Sequence, residues 1–253
     1  EESVPARRVS MEEARAFLDI KEKLAGKIAF AVSLCIVSPV CLIFLGAAQE
    51  TGRISISENM AAGAGLLILL LAIAIAVAVF ISSGIRMGQY DYLDKDRIET
   101  DYGVTGMVKD QKSEYQGTYT RYHIIGTCCC ILAATPLFTM LMFTEEDFMM
   151  AMAVCVLLFI VAIGVYFFVV AGVRWESMQK LLQEGDYTID NKKNEAAFEP
   201  VSKAYWLVAT AIYLGYSFYT NAWEISWIVW PVAGVLFAAV KVIYVASVRN
   251  KHK

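Results

Sequence analysis

Apolar positions in this chain gather into long blocks, and polar positions fill the gaps between them. The clearest block is Met60–Ile85, which holds no charged residue until Arg86. At ~1.5 Å rise per residue it makes a helix of about 39 Å, enough to cross a ~30 Å hydrocarbon core with some tilt. It lacks the polar face that a water-bathed helix needs. Blocks of this kind predict six spans, at about 28–48, 60–85, 122–143, 148–173, 204–222 and 225–248. Pro39 falls in the middle of the first and Pro136 towards the far end of the third. The predicted fold is an all-α membrane protein whose six transmembrane helices form three consecutive hairpins. A polar segment, 1–26, leads into this 27–248 membrane domain, and 249–253 form a tail.

The gaps carry signals of their own. Ser10-Met-Glu-Glu13 is a capping box, and Phe17, Ile20 and Leu24 follow at helical spacing. A short amphipathic helix on the membrane surface or in a linker is expected there. In the charged segment 86–121, Tyr90, Tyr92, Leu93 and Ile98 are expected to rest on the membrane while Asp91, Asp94, Lys95 and Asp96 face water. All of the 22 Lys and Arg except Arg53 fall before span 1, in the segments after spans 2 and 4, or at the end of the chain. The positive-inside rule then places both termini and both long loops in the cytoplasm.

An internal parallel repeat is legible. Span 2 ends Phe80-Ile-Ser-Ser-Gly84-Ile-Arg86, and span 4 ends Phe168-Val-Val-Ala-Gly172-Val-Arg174. Cys35-Ile36 and Cys130-Ile131 each precede a proline. All three hairpins run the same way, unlike the inverted repeats of many transporters. Ala61/Gly65, Ala72/Ala76 and Ala74/Ala78 offer small-x-x-x-small contacts, which makes Met60–Ile85 the expected centre of the bundle.

Composition narrows the function classes. The chain of 253 residues is 58% hydrophobic, too apolar for an ordinary soluble domain. No short alternating segments of a β-barrel occur. A net charge of −3 gives no basis for direct nucleic-acid contact. The first 26 residues are too polar for a signal peptide, and the start at Glu1 reads as a cut from a longer protein. The six cysteines lie in apolar blocks as small packing residues. No nucleophile–base pair, HExxH or paired-carboxylate site is legible, so no enzyme, metal or cofactor is expected.

The one candidate ligand site is an acidic outer mouth. Glu58, Glu146, Asp147 and Glu224, with Glu50 and Glu145, oppose the single Arg53. Each outer turn reads [STN]-x-x-[DE]: Ser55 to Glu58, Thr144 to Asp147 and Asn221 to Glu224. Helix capping alone accounts for these residues, since the first N–H groups of a returning helix lack partners. Cation binding is the competing role. His123 and Lys241 stand near the inner edge, where the lysine snorkels. Tyr205, Tyr213, Tyr216 and Tyr219 share one broad face of span 5, fitting interhelical hydrogen bonds with close packing at Gly215, or a pocket against span 6. Trp175, Trp206, Trp223, Trp227 and Trp230 take aromatic-belt positions.

Val9-Ser-Met-Glu-Glu-Ala14, the stretch Lys27–Pro39, Ile56-Ser-Glu-Asn-Met-Ala-Ala-Gly63 and Trp223–Pro231 resemble the membrane half of XRE-type helix-turn-helix regulators of Firmicutes. The resemblance covers most of the chain. It implies a multi-pass protein of the bacterial cytoplasmic membrane, serving as sensor or anchor for an upstream DNA-binding domain. It brings no site residues with it. The partner it implies is that upstream domain; the apolar blocks add the lipid bilayer, a homo-oligomer stays open, and the ligand is not legible. A small permease is the alternative, and a structural protein without ligand a third.

Overall fold

The computed structural model describes residues 7–96, 98–143, 146–221 and 223–251. The chain divides into two compact units, Glu1–Leu93 with Ile98–Leu182, and Asp94–Arg97 with Gln183–Lys253. Five helical segments are long and apolar enough to cross a membrane: Met11–Glu50, Glu58–Tyr90, Val104–Phe143, Asp147–Tyr187 and Trp223–Tyr244. The protein is therefore an all-α, multi-pass type of membrane protein. The expected span 204–222 is helical to Thr220 but is not among the five, because Tyr205, Thr210, Tyr213, Tyr216 and Ser217 dilute its apolar run. Its last residue, Ala222, lies outside the described residues, as do Arg97, Thr144 and Glu145.

In the first unit, β1 (Arg7–Val9) pairs in parallel with β2 (Ile98–Thr100), in the register Arg7 to Ile98 and Val9 to Thr100. Then α1 runs unbroken from Met11 to Val37. Its start is capped as the sequence predicts: the Ser10 hydroxyl accepts the Glu13 N–H at 3.2 Å. Pro39 has no N–H to continue the ladder, so the chain turns and restarts as α2 (Val40–Glu50). The third helix, α3 (Glu58–Met87), is followed by the short α4 (Tyr92–Lys95). Gly103, at φ +87°, opens α5 (Val104–Leu132), a backbone angle that a side chain would strain. A turn at Ala133 separates it from α6 (Thr135–Phe143), which holds Pro136 in its first turn. Last comes α7 (Asp147–Leu182).

These helices outrun the membrane. By rise per residue α7 is about 54 Å long, and its end joins the starts of α1 and α5 in a water-side core. That core contains Val9, Phe17, Tyr90, Leu93, Ile98, Val108 and Leu181. Two expectations are corrected here. The N-terminal helix is no separate surface helix but the first turns of span 1. Tyr90, Tyr92, Leu93 and Ile98 do not lie on the membrane; all four are buried in this core, because the β1–β2 pairing folds their segment back onto α1.

The packed centre of the unit is α7, not α3 as the small residues of Met60–Ile85 had indicated. It contacts α1, α2, α5 and α6, whereas α3 meets chiefly α1 and α2. A Cβ built on Gly126 would stand 2.9 Å from the Gly164 carbonyl oxygen, so α5 and α7 touch through two glycines. The α3 helix has one such contact, where a Cβ on Gly65 would meet Leu42 Cα at 2.7 Å. Ala61 and Ala76 are buried as expected, but Ala74 and Ala78 face outward.

In the second unit, α8 (Ile189–Thr220) and α10 (Val229–Lys251) pair, with α9 (Trp223–Ser226) between them in sequence. The Tyr205 hydroxyl donates to the Ala233 carbonyl at 2.6 Å, and the Tyr244 hydroxyl to Ala197 at 3.0 Å. Trp206 stacks on Trp230, and Tyr213 packs beside it. Tyr216 and Tyr219 are exposed, so the expected tyrosine face is used only in part. Nothing lies within 4 Å of a Cβ built on Gly215, so the close packing expected there is absent among the described residues.

Candidate functional site

Glu58, Asp147 and Glu224 stand in the first turns of helices, whereas Glu50 is the last residue of α2. Glu58 is the first residue of α3, but the cap is Ser57 rather than Ser55; its hydroxyl accepts the Met60 N–H at 3.3 Å. Glu146 precedes α7, and Asp147 begins it. Glu146 pairs with Arg53 at 3.3 Å, and the same guanidinium lies 4.1 Å above the Phe148 ring. The lone cation of the mouth thus ties the α2–α3 turn to the start of α7. Glu224 belongs to α9 in the second unit. Asn221 does not cap that helix: at φ +54° it closes α8 as a left-handed C-terminal residue. Glu145 lies outside the described residues. Among the described residues no cluster of three or more His, Cys, Asp or Glu has the arrangement of a metal site.

A more built site lies at the opposite end of the first unit. Between α1, α5 and α7 a polar cleft of about 410 Å³ is lined by Asp19, Glu22, Gln111, Glu114, Tyr115 and Arg174. Helix continuity makes it: each of the three helices carries its polar residues past the apolar block before turning. Arg174 crosses the cleft, with its guanidinium 2.8 Å from Glu22 Oε1 and 4.6 Å from the Tyr115 ring centre. The Tyr115 hydroxyl is buried there without a hydrogen-bond partner among the described residues. Three carboxylates against one guanidinium leave the cleft acidic, suited to binding a polar or cationic group.

Beside the cleft, rings stack from water towards the apolar zone. Lys112 Nζ lies 4.8 Å from the Trp175 ring centre, Trp175 stacks on Tyr119 at 4.4 Å, and Tyr119 packs at a tilt against His123 at 4.2 Å. The His123 ring nitrogen Nδ1 is 3.2 Å from the Tyr119 carbonyl oxygen.

A second anchor joins the strands to the helices. Tyr92 donates to Glu13 Oε1 at 2.6 Å, Arg7 pairs with the same oxygen at 3.2 Å, and the Arg7 guanidinium lies 3.5 Å over the Tyr92 ring. Burial, then the hydrogen bond to Glu13, hold the Tyr92 phenol well above the usual tyrosine range.

Of the cleft residues, only Arg174 stands out in the sequence, as the end of Phe168-x-x-x-Gly172-x-Arg174. Glu22 and Tyr115 do not. Their signal was Tyr115, Tyr119 and Tyr122 at i, i+4 and i+7, a helical period that starts before the apolar block. No family model, curated protein or solved structure matches the chain.

Proposed function

We propose that this chain is a non-enzymatic integral membrane module that couples the segment entering at β1 to a transmembrane bundle, as the sensor or anchor of a membrane-tethered transcription regulator. One observation carries the coupling. The helix α1 runs without a break from the water-side core into the apolar bundle, with β1 locked to β2 just before it. A rigid rod of about 40 Å transmits displacement or rotation between its ends, where a flexible linker would absorb it. The regulator part of the reading rests on the resemblance to XRE-type membrane halves.

In this reading α8 supplies span 5 and brings the count to six, and both termini face the cytoplasm of a bacterial cell. Positive-inside bias supports that orientation. The parallel repeat is supported by two proline-interrupted helix pairs, α1–α2 and α5–α6, each followed by a single long helix. Parity makes the span count testable. Six spans put both termini on one side, and five put them on opposite sides. A C-terminal fluorescent-protein fusion should glow and a C-terminal alkaline phosphatase fusion should be inactive; the reverse pattern removes α8 as a span.

The regulator role is tested on the full coding sequence. An upstream helix-turn-helix, with DNA that cross-links to the membrane-bound protein in cells, supports it. An open reading frame without such a domain, together with solute flux in proteoliposomes, would support the permease instead.

A further inference from the structure

A groove between α1 and α3, away from the acidic cleft, has the chemistry of an amphiphile site. It encloses about 470 Å³. Its α3 wall is formed by Ile75, Val79, Ser83 and Arg86, which fall at i, i+4, i+8 and i+11 and so lie along one helix face about 17 Å long. Leu24 and Lys27 of α1 face it. The lining is graded. Both cations and the serines stand at the water-side end, and Ile75, Ala78 and Val79 stand deeper in the apolar block.

Three features separate this groove from ordinary interfacial charge. No carboxylate lines it, whereas the neighbouring cleft holds three. Among the described residues no hydrogen bond or ion pair engages Lys27 or Arg86, while the corresponding Arg174 is neutralised by Glu22. Ser83 is only 4% exposed as a whole residue and lines the groove on the same α3 face as Arg86. Two cations and a serine hydroxyl lining one groove without a carboxylate are a place for an anion. An apolar wall continuing below it is a place for a hydrocarbon chain.

We propose that this groove binds an anionic phospholipid, with the phosphate held by Lys27, Arg86 and Ser83 and one acyl chain laid along Ile75, Ala78 and Val79. The site rests on α1 and α3 crossing a membrane and is independent of the regulator reading. Basic pockets between helices at the cytoplasmic leaflet are where such headgroups are held. The lipid would clip α1 to α3 at the point where α1 enters the bundle.

The test uses the full chain in nanodiscs of mixed phosphatidylcholine and phosphatidylglycerol, re-extracted in mild detergent, with the retained lipids counted by mass spectrometry. The wild type should retain phosphatidylglycerol well above its share of the disc. Lys27→Gln and Arg86→Gln should each lower that enrichment about fivefold, in line with the usual worth of one cation near an anionic lipid. Ala78→Trp, on the outward face, changes no charge and should abolish the enrichment by filling the acyl path. Should the charge variants fail to fold, Ala78→Trp decides alone. Lys109→Gln removes a cation outside the groove and should have no effect. Enrichment unchanged in both charge variants or in Ala78→Trp overturns the proposal. So does an equal loss in Lys109→Gln, which would mean diffuse attraction, or complete displacement of phosphatidylglycerol by inorganic phosphate, which would mean a phosphate site without a lipid.

Discussion

The water-side core of the first unit and the apolar shaft beneath it are packed by opposite means. In the core the buried residues are large: Phe17, Leu93 and Ile98 are 1% exposed, and Val104 and Val108 fully enclosed. In the shaft the buried residues are small, Ala29, Ala31, Ala61, Ala76, Ala162 and Gly164, while Leu67 and Leu71 point outward at 63% and 64% exposure. The difference follows from the solvent. Water drives large apolar side chains together at the charged end. Lipid is as apolar as leucine, so in the shaft only close backbone approach and dispersion hold helices to each other. The same residue type therefore has opposite meanings at the two ends of one helix.

Substitutions at the two ends should differ accordingly. Phe17→Ala, which also removes the edge contact with Tyr90 at 5.1 Å, should destabilise the first unit by about 3–5 kcal/mol. Reversible unfolding in nanodiscs, with protection of the Asp101–Tyr122 segment from protease as a second readout, measures it. In the shaft the equivalent damage comes from adding atoms. A Cβ on Gly164 would stand 3.0 Å from the Gly126 carbonyl oxygen and 3.1 Å from Cys130 Sγ, so Gly164→Val should cost about 3 kcal/mol. Val165→Ala next to it serves as the control. If Gly164→Val is neutral while Phe17→Ala is costly, the shaft is not held by the glycine crossing.

What the sequence made legible divides along the same line. The apolar blocks, the Pro39 and Pro136 breaks and the Ser10–Glu13 cap can all be read from local chemistry. The water-side core could not, because it depends on a parallel pairing between β1 and β2, far apart in sequence and too short to show alternation. Tyr90, Tyr92 and Leu93 looked like membrane-surface residues for the same reason: an apolar cluster among charges fits a lipid surface or a small core equally well. The choice of α3 as the centre followed from counting small residues. Position decides instead, since Ala74 and Ala78 face outward while Gly126 and Gly164 meet. The cleft was illegible because Arg174, Glu22 and Tyr115 lie on three helices that converge only after folding.

Electrostatics at the water-side core gives a smaller effect with a defined sign. Tyr92→Phe deletes the 2.6 Å hydrogen bond to the Glu13 carboxylate and should cost about 1.5 kcal/mol near neutral pH. The Tyr92 phenol is raised above its ordinary value near 10, so the unfolded chain loses that proton first. Its stabilisation is complete below about pH 10 and is lost as pH rises further. Unfolding measured at pH 9 and pH 11 should show a fall in the wild type that is smaller in Tyr92→Phe. An identical fall in both would place the alkaline sensitivity elsewhere.

At the outer end the ion pair between Arg53 and Glu146 is largely solvated, with side chains 47% and 63% exposed. Arg53→Ala should cost no more than about 1 kcal/mol, part of it from the lost contact with Phe148. A larger loss would mean that the outer turns are locked together as firmly as the core.

The smallest effect is the sharpest check. Leu71→Ala removes a large apolar side chain from the middle of α3, and in a water-soluble protein a leucine in mid-helix is a costly one to lose. Here the side chain faces outward, and in lipid it exchanges one hydrocarbon neighbour for another. Stability in nanodiscs should change by less than about 0.5 kcal/mol. The result separates two accounts of the exposed α3 face. If that face meets only lipid, Leu71→Ala is silent. If a second copy of the chain covers it, the substitution opens a cavity, stability falls with dilution of the protein, and the contrast between core and shaft then describes a single copy rather than the working assembly.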